Sequence, residues 1–566
     1  MTGVFAPKRQ GAPTVERLAE ALDASSASAS RGPIAVAWTH DAAAQTAPVL
    51  AVAAGGIAPA APTIPTSPAG PFAAVRWDPE RGEGFLAVDP LGAASLFVYD
   101  DGSRLTFASE LADLLHLLHR RPSPNHHALV RWLADGTTER GETFFDGVRR
   151  LPGGYAVRLD ERGWRSERYW SPHYVGVTDG QRVEHETRLA EGVAAAVERA
   201  AADSTRRGVL LSGGLDSTTV AALAVRQGPL RSYSAVFPDH PEIDEAEQIE
   251  LVTERLRLDA IRMPTRDVTI LASSEEYLRR WEVPPSSPML GMHRPLLERI
   301  ADDDIDTLLD GQGGDELFGE SRFLVSDRVR TGRVRSAADL ALLASPHEPV
   351  WRTLVELGLK ANLPTATHRA ARRLRPLQYA PHWLQSQAAR LYAQEQDGWS
   401  WKQLDGPRWW AFLADQLTAH RERWGVHDYL RHKSALAGAR GRHPFLQDLD
   451  LIRLVLSLPP ELAFDATLDR PLLRRSMAGL VPDEIRLAER KPVFTRIFVD
   501  AMRGADYENV VSILQPKAEI FAFVRPEAVE RLFLATDQER LAPTWAWTLW
   551  RLAVCETWLQ RQRSND

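Results

Sequence analysis

Residues 212–217, Ser-Gly-Gly-Leu-Asp-Ser, combine hydroxyl groups, two glycines and a carboxylate in one short segment. An apolar run at 209–211 precedes them and an alanine-rich stretch to about residue 226 follows, which predicts a buried strand, a glycine turn and a helix. Backbone N–H groups at a helix N-terminus, approached closely at glycine, favour an anion. The Gly-Lys-Ser/Thr ending of a kinase-type phosphate loop is missing, so we predict a phosphate site of another kind.

A second glycine-rich segment, Asp-Gly-Gln-Gly-Gly-Asp-Glu-Leu-Phe-Gly at 310–319, follows the apolar run 305–309. In an open parallel sheet, the loops at the carboxyl ends of neighbouring strands converge on one crevice. Asp216 and Asp315 are therefore expected to face one ligand. Two carboxylates beside a triphosphate suit Mg²⁺, which prefers hard oxygen ligands.

The first segment resembles the pyrophosphate loop of ATP pyrophosphatases, and the pair resembles the synthetase domain of the asparagine synthetase family. This family includes asparagine synthetases, β-lactam synthetases and the cyclases that make lasso peptides. The resemblance implies ATP and Mg²⁺ as cofactors and cleavage of ATP between the α and β phosphates, which activates a carboxylate as an adenylate. It covers nearly the whole chain, but residues 323–421 match only loosely.

The resemblance also implies the roles of individual residues. The catalytic residues would be Asp216 and Asp315, which bind Mg²⁺, and Lys491, which neutralises charge in the transition state. The ATP-binding residues would be Val209, Leu210, Leu211, Ser212, Gly213, Gly214, Asp216, Ser217, Val236, Phe237 and Gly311. The substrate-binding residues would be Gln312, Glu245, Arg442 and Arg474. Two alternatives stay open: Lys491 as a solvated surface charge, and Glu245 as an ordinary acidic helix start.

Gln312 stands where asparagine synthetases have glutamate and β-lactam synthetases have tyrosine. A neutral amide cannot act as a base, although it can orient a substrate. An α-amine with a pKa near 8 is already partly unprotonated at neutral pH, so this loop suits an amine nucleophile. That is the situation of a lasso-peptide cyclase, which closes an Asp or Glu side chain of a precursor peptide onto the peptide's own N-terminal amine. A β-lactam-type or asparagine-type synthetase is the alternative within the class, and a non-catalytic ATP-binding scaffold the alternative outside it.

The chain is predicted to be an α/β protein with two domains. Short alternating runs within residues 1–170 indicate β-sheet with a helix near 110–120, and 85–111 resembles the family's glutaminase-like, Ntn-type α+β sandwich. A linker over 171–185 would lead to the parallel-sheet synthetase domain at 186–566, which has a helical C-terminal part. Its segment 323–421 is helical and rich in tryptophans, which serve either as core or as an apolar wall for a peptide. We expect a loop over 53–70.

The glutaminase-like domain departs from the family at its nucleophile. Working glutaminases of this family have a cysteine directly after the initiator methionine, where this chain has Thr2. Threonine can serve as a nucleophile when its own amine activates it. The family's Asn-Gly-Glu motif is also missing upstream of Phe85, so we expect a domain without glutaminase activity.

Net charge, apolar runs and cysteine count limit the kinds of partner and the cellular location that we predict. The net charge of −7 argues against nucleic acid, and no apolar run reaches membrane-spanning length. The single cysteine, Cys555, excludes an intrachain disulfide and is expected to pack in the core. Because the first residues lack the long apolar segment of a signal peptide, we predict a cytoplasmic enzyme. The resemblance implies a precursor or core peptide as substrate, and leader-peptidase and leader-recognition proteins as partners.

Overall fold

The structure is a computed structural model. It describes residues 1–6, 27–31, 33–38, 43–45, 50–55, 63–66, 70–136, 138, 141–202, 204–266, 268–319, 321–345, 348–374, 378, 380–395, 400–418, 426–488 and 494–564.

The N-terminal part of the chain consists mainly of antiparallel strands. They are β1 (Thr2–Phe5), β2 (Ala27–Arg31), β3 (Ile34–Trp38), β4 (Ala43–Gln45), β5 (Leu50–Gly55), β6 (Phe72–Asp78), β7 (Glu83–Val88), β8 (Phe97–Asp100), β9 (Leu105–Ala108), β10 (Val148–Arg150), β11 (Tyr155–Asp160) and β12 (Gly163–Arg168). In the described residues, one sheet has the order β10-β8-β9-β1-β3-β2 and the other the order β12-β11-β7-β6-β5-β4.

These two sheets share one apolar core. Val36 and Phe107 of the first sheet and Val75 and Leu86 of the second are all buried in it, because alternate residues of each strand point to the facing sheet. Helix α1 (Leu111–Leu117), at the predicted position, packs its last residue on the outer face of the first sheet. The predicted α+β sandwich is thereby confirmed.

The loop predicted over residues 53–70 is wrong at its start. Strand β5 continues through Gly55, which pairs with Phe72 of β6. Alanine and glycine occur in strands as well as in loops, so composition alone did not separate the two. Residues 56–62 and 67–69 lie outside the described residues.

The C-terminal part is built on a parallel sheet. Its strands are β13 (Arg207–Leu210), β14 (Arg231–Val236), β15 (Asp259–Pro264), β16 (Thr307–Leu309) and β17 (Arg440–Arg442). Their order is β15-β14-β13-β16-β17 and each neighbouring pair is parallel. The direction of winding reverses between β13 and β16, so the loops that follow these two strands open a crevice there.

Helices surround this sheet and form most of the remaining chain. After α1 and α2 (His126–Asp135), they are α3 (Arg182–Ala201), α4 (Leu215–Ala224), α5 (Ala246–Leu256), α6 (Ile270–Trp281), α7 (Leu290–Asp302), α8 (Gly314–Phe318), α9 (Leu324–Arg330), α10 (Val334–Ala344), α11 (Val350–Thr353), α12 (Thr365–Leu374), α13 (Ser386–Glu395), α14 (Arg408–Leu417), α15 (Val426–Leu436), α16 (Pro444–Gln447), α17 (Leu449–Ser457), α18 (Pro471–Ser476), α19 (Asp483–Arg486), α20 (Thr495–Arg503), α21 (Tyr507–Ile513), α22 (Pro526–Phe533) and α23 (Pro543–Ser564). Among the described residues, none of these helices combines the length and the hydropathy needed to cross a bilayer. Cys555 is fully buried in α23, as expected of a core residue.

Candidate active site

The first glycine loop joins β13 to α4 and is braced by its own hydroxyl groups. Ser212 and Ser217 place their Oγ atoms 3.0 Å apart, and the Ser212 backbone N–H donates to Ser217 Oγ at 3.1 Å. Gly213 has φ +74, and a Cβ there would lie 2.9 Å from Cβ of Gln248 on α5. The loop therefore needs glycine both for its backbone conformation and for its approach to α5.

The second glycine loop joins β16 to α8 and packs directly on the first. A Cβ at Gly311 would lie 2.5 Å from the backbone nitrogen of Ser217, and one at Gly314 would collide with the Asp216 carboxylate. Gly313, with φ +95, would collide with Leu446. The glycines are thus required because the two loops and α16 meet at van der Waals distance. The predicted convergence of the loops at one crevice is present.

The two acidic residues of the predicted metal site meet on one arginine. Arg470 Nη1 pairs with Asp216 and, at 3.1 Å, with Asp315 Oδ1, while its Nη2 pairs with Asp469 at 2.6 Å. Burial would lower the pKa of Arg470, but Asp216, Asp469 and Asp315 together raise it above its usual value. The Asp315 side chain remains 53% exposed. Convergent carboxylate oxygens with one open side fit the ligand preference of Mg²⁺.

The strand ends assigned to the nucleotide lie beside this crevice. Val209 and Leu211 are buried, and the backbone N–H of Leu211 donates to the Tyr233 carbonyl of β14 at 2.9 Å. Val236 and Phe237 are buried at the end of β14, where the Phe237 ring lies 5.5 Å from the Phe494 ring. An apolar wall is therefore in place on the β14 side of the loops.

The four residues assigned to the substrate take different positions. Gln312 is exposed at the tip of the second loop, and Glu245 caps the start of α5 with its Cβ 3.4 Å from a Cβ built on Gly213. Arg442 ends β17, and its carbonyl accepts the Asp310 backbone N–H at 3.3 Å. Arg474 is buried, and its guanidinium bonds Asp469 and the carbonyl of Arg486. Gln312, Glu245 and Arg442 thus adjoin the two glycine loops. Arg474 is linked to them through Asp469, which it shares with Arg470.

Lys491 lies outside the described residues, as do its neighbours at 489–493. Its assignment as the transition-state cation stays a prediction. Trp399 of the tryptophan-rich segment, and Trp424 just after it, also lie outside the described residues.

Three other tryptophans of that segment are core residues. Trp401, Trp409 and Trp410 are at most 4% exposed and pack against the parallel-sheet core. Trp351 is 68% exposed on α11. The tryptophans thus contribute mainly to the core, and the suggested aromatic wall has little support from them.

The sequence did not reveal a buried polar cluster behind the second loop. Asp310 Oδ1 accepts the Gln312 backbone N–H at 3.1 Å and lies 2.7 Å from His443 Nδ1. Burial would raise the pKa of Asp310, but His443, Lys433 and that N–H hold it below its usual value. Asp310 and His443 are 133 positions apart, so no local pattern could have paired them. The only signal was an acid at the end of a predicted strand.

The residue at the glutaminase position, Thr2, is buried in the structure. Thr2 lies in β1 between β3 and β9, opposite Ala37 and Ala108, and is 0% exposed. Its hydroxyl makes no hydrogen bond within the described residues. The Thr2 side chain is therefore buried when Met1 precedes it.

Comparison with known families agrees with this geometry. Residues 188–560, well over half of the chain, match the family described as asparagine synthase. The chain belongs to the asparagine synthase family. Residues 62–170 match a second family, described as a glutamine amidotransferase domain.

Individual relatives in this family are similar over part of their length. A Mycobacterium tuberculosis protein named "Putative asparagine synthetase (glutamine-hydrolyzing)" is 30% identical over 44% of this chain and 39% of its own. Asparagine synthetase (glutamine-hydrolyzing) 2 of Bacillus subtilis is 24% identical over 72% of this chain and 54% of its own. The match spans less than two thirds of either relative.

A solved structure titled as the allosteric regulatory enzyme of purine biosynthesis aligns with 41% of this chain and 58% of its own at 11% identity. The TM-score of this alignment is 0.18, a value too low to bear on the fold.

Proposed function

We propose that this chain is an ATP- and Mg²⁺-dependent ligase that adenylates a carboxylate and transfers the acyl group to an amine. One observation supports this most strongly: Asp216 and Asp315 contact the same arginine, Arg470. They do so where the two glycine loops pack together, between the strands at which the order of the parallel sheet reverses. Loops at such a point bind ligands in open α/β sheets. Membership of the asparagine synthase family supports the same reaction class.

Each part of the crevice has a function in this proposal. Backbone N–H groups of the first loop and the start of α4 would bind the pyrophosphate portion of ATP. Asp216 and Asp315 would hold Mg²⁺, which supplies charge neutralisation at the phosphates. The Val236 and Phe237 wall would exclude water from one side of the nucleotide. Lys491 would stabilise negative charge in the transition state.

We further propose that the substrate is a peptide and the product a macrolactam, as in lasso-peptide cyclases. Gln312 is exposed at the tip of the second loop, where its amide can orient a nucleophile but not deprotonate it. An α-amine needs less assistance from a base than an amide nitrogen does. The enclosed Thr2 hydroxyl supports a nitrogen source other than glutamine. The acidic side chain and the amine would then belong to one peptide.

A core peptide with a free N-terminal amine and one acidic ring-closing residue tests this proposal. Mass spectrometry should show a product lighter by one water, together with AMP and pyrophosphate. Acetylation of the amine should stop ring closure, because the nucleophile is lost, while adenylation continues. Loss of water from the acetylated peptide would contradict macrolactam formation.

The second candidate is an asparagine-type synthetase, which the names of the curated relatives favour. In that case free aspartate with ammonia should be the better substrate pair. Side-by-side rates of pyrophosphate release with the peptide and with aspartate plus ammonia separate the two candidates.

A further inference from the structure

Helix α15 lies between the N-terminal domain and the second glycine loop. On one side its Asp428 carboxylate accepts Arg150 Nε of β10 at 3.0 Å and the Ser95 hydroxyl. The Arg150 and Asp428 side chains are 3% and 4% exposed. A buried ion pair tolerates little displacement, because separating its partners leaves charges without compensation.

A second contact between α15 and the N-terminal domain centres on Glu110. Its carboxylate pairs with Arg431 and lies 3.3 Å from His432 Nε2. His432 is further held by the Tyr277 hydroxyl, 2.6 Å from its Nδ1, and by the stacked Trp281 ring at 4.3 Å. The helix is therefore fixed in both position and rotation.

The C-terminal end of α15 leads to the second loop through β17. Lys433, two positions after Arg431, points to a different side because successive residues turn by about 100° around a helix. It is buried, and Asp310 partly offsets the lowering of its pKa by burial. The chain then continues into β17, which pairs with β16, the strand that ends just before Asp310.

The strand that follows α15 reaches the second loop by direct contact. Ser434 of α15 packs on Gly441 of β17, where an added Cβ would collide with its Oγ. His443, just after β17, places Nδ1 2.7 Å from Asp310 Oδ1. Contacts thus lead from α15 through β17 to the second loop.

We infer that the N-terminal domain is a positioning part of the crevice: it fixes α15, and α15 holds the Asp310 loop in place through β17 and His443. Glu110, Arg150, Asp428 and Arg431 are positioning residues in this account. Its catalytic consequence rests on the proposed function, whereas its structural consequence does not.

Glu110→Gln in the full chain tests the inference, because the Glu110 and Arg431 side chains are each 31% exposed and Arg431 keeps its contact with Asp428. The matched control is Glu167→Gln, which breaks the Arg158–Glu167 pair between β11 and β12. The acids are 31% and 33% exposed, respectively. Arg431→Lys, which keeps the charge, replaces Glu110→Gln if the latter does not fold. Melting temperature, hydrogen exchange of residues 310–319 and pyrophosphate release are measured for each.

Glu110→Gln should speed exchange at residues 310–319 and lower kcat by about tenfold or more, with KM for ATP changed much less. Glu167→Gln should change neither. Equal exchange of the loop in both variants would overturn the inference, whatever the activity. If the wild type releases no pyrophosphate, the proposed function fails, and loop exchange still decides the positioning role.

Discussion

Arg470 determines how the two acidic residues of the crevice are held. It contacts Asp216 and Asp315 through one guanidinium nitrogen and keeps Asp469 on another. Because Arg470 also contacts Asp469, a bound cation could neutralise Asp216 and Asp315 while the arginine stays paired with Asp469. A lysine here would retain the charge without the planar fork.

Asp315→Asn should abolish substrate-dependent pyrophosphate release while the fold survives. The carboxylate is half-exposed, so its loss costs little stability, but it removes a metal ligand and with it about a hundredfold or more in rate. Glu316→Gln, an equally small change at the next, exposed position, should be nearly silent. Wild-type turnover in Asp315→Asn would remove the metal assignment.

At the scale of elements, the glycines of the second loop matter through contact more than through flexibility. Gly311 and Gly314 lie where the first loop touches the second, and Gly313 lies against α16. The contacts set the separation of the two loops, and hence the space left for a pyrophosphate between their backbone N–H groups.

Gly311→Ala should push the loops apart. Its Cβ would lie 2.5 Å from the Ser217 nitrogen, and overpacking of this kind costs about 1–3 kcal/mol. Pyrophosphate release should fall by about tenfold to a hundredfold. Gly70→Ala is the control, since no heavy atom lies within 4 Å of its new Cβ. Thermal unfolding separates loss of stability from loss of activity, and equal rates in both variants would contradict the packing argument.

The elements that could be predicted from the sequence are those with a strong local signal. Strands β13, β14 and β16 each end in an apolar pair, at 209–210, 235–236 and 308–309, because both faces of a parallel sheet are covered, and the helix α4 follows a glycine turn. Strand β17, Arg440–Arg442, carries two arginines and a glycine and gives no such signal. It forms because β16 offers its edge and α15 positions it.

In the predicted site, too, some residues have a strong local signal and others are placed only by distant contacts. Asp216 and Asp315 were recognisable because each follows a glycine turn at a strand end. Arg470 as their common partner, and the contact of Asp310 with His443, depend on residues more than a hundred positions apart. Such contacts are set by packing of the whole domain, which no local spacing encodes.

At the scale of the molecule, the N-terminal domain combines a sandwich core with an enclosed Thr2 and a charged contact to α15. In the proposed account, this domain supports α15 through that contact, and we predict that Thr2 does not act as a nucleophile.

Thr2→Val should leave both activity and stability nearly unchanged. Valine keeps the shape of threonine, and the hydroxyl it removes makes no hydrogen bond within the described residues, so we expect a change below about 1 kcal/mol. Glutamine should be neither hydrolysed nor able to speed product formation. Glutamate release that disappears in Thr2→Val would restore an amidotransferase interpretation.

Exchange of labelled pyrophosphate into ATP tests most directly whether the two loops activate a carboxylate as an adenylate. With an acidic core peptide and Mg²⁺, the wild type should incorporate label only when the peptide is present, Asp315→Asn should not, and net turnover should yield AMP. Formation of ADP and phosphate, or full exchange in Asp315→Asn, would contradict the account.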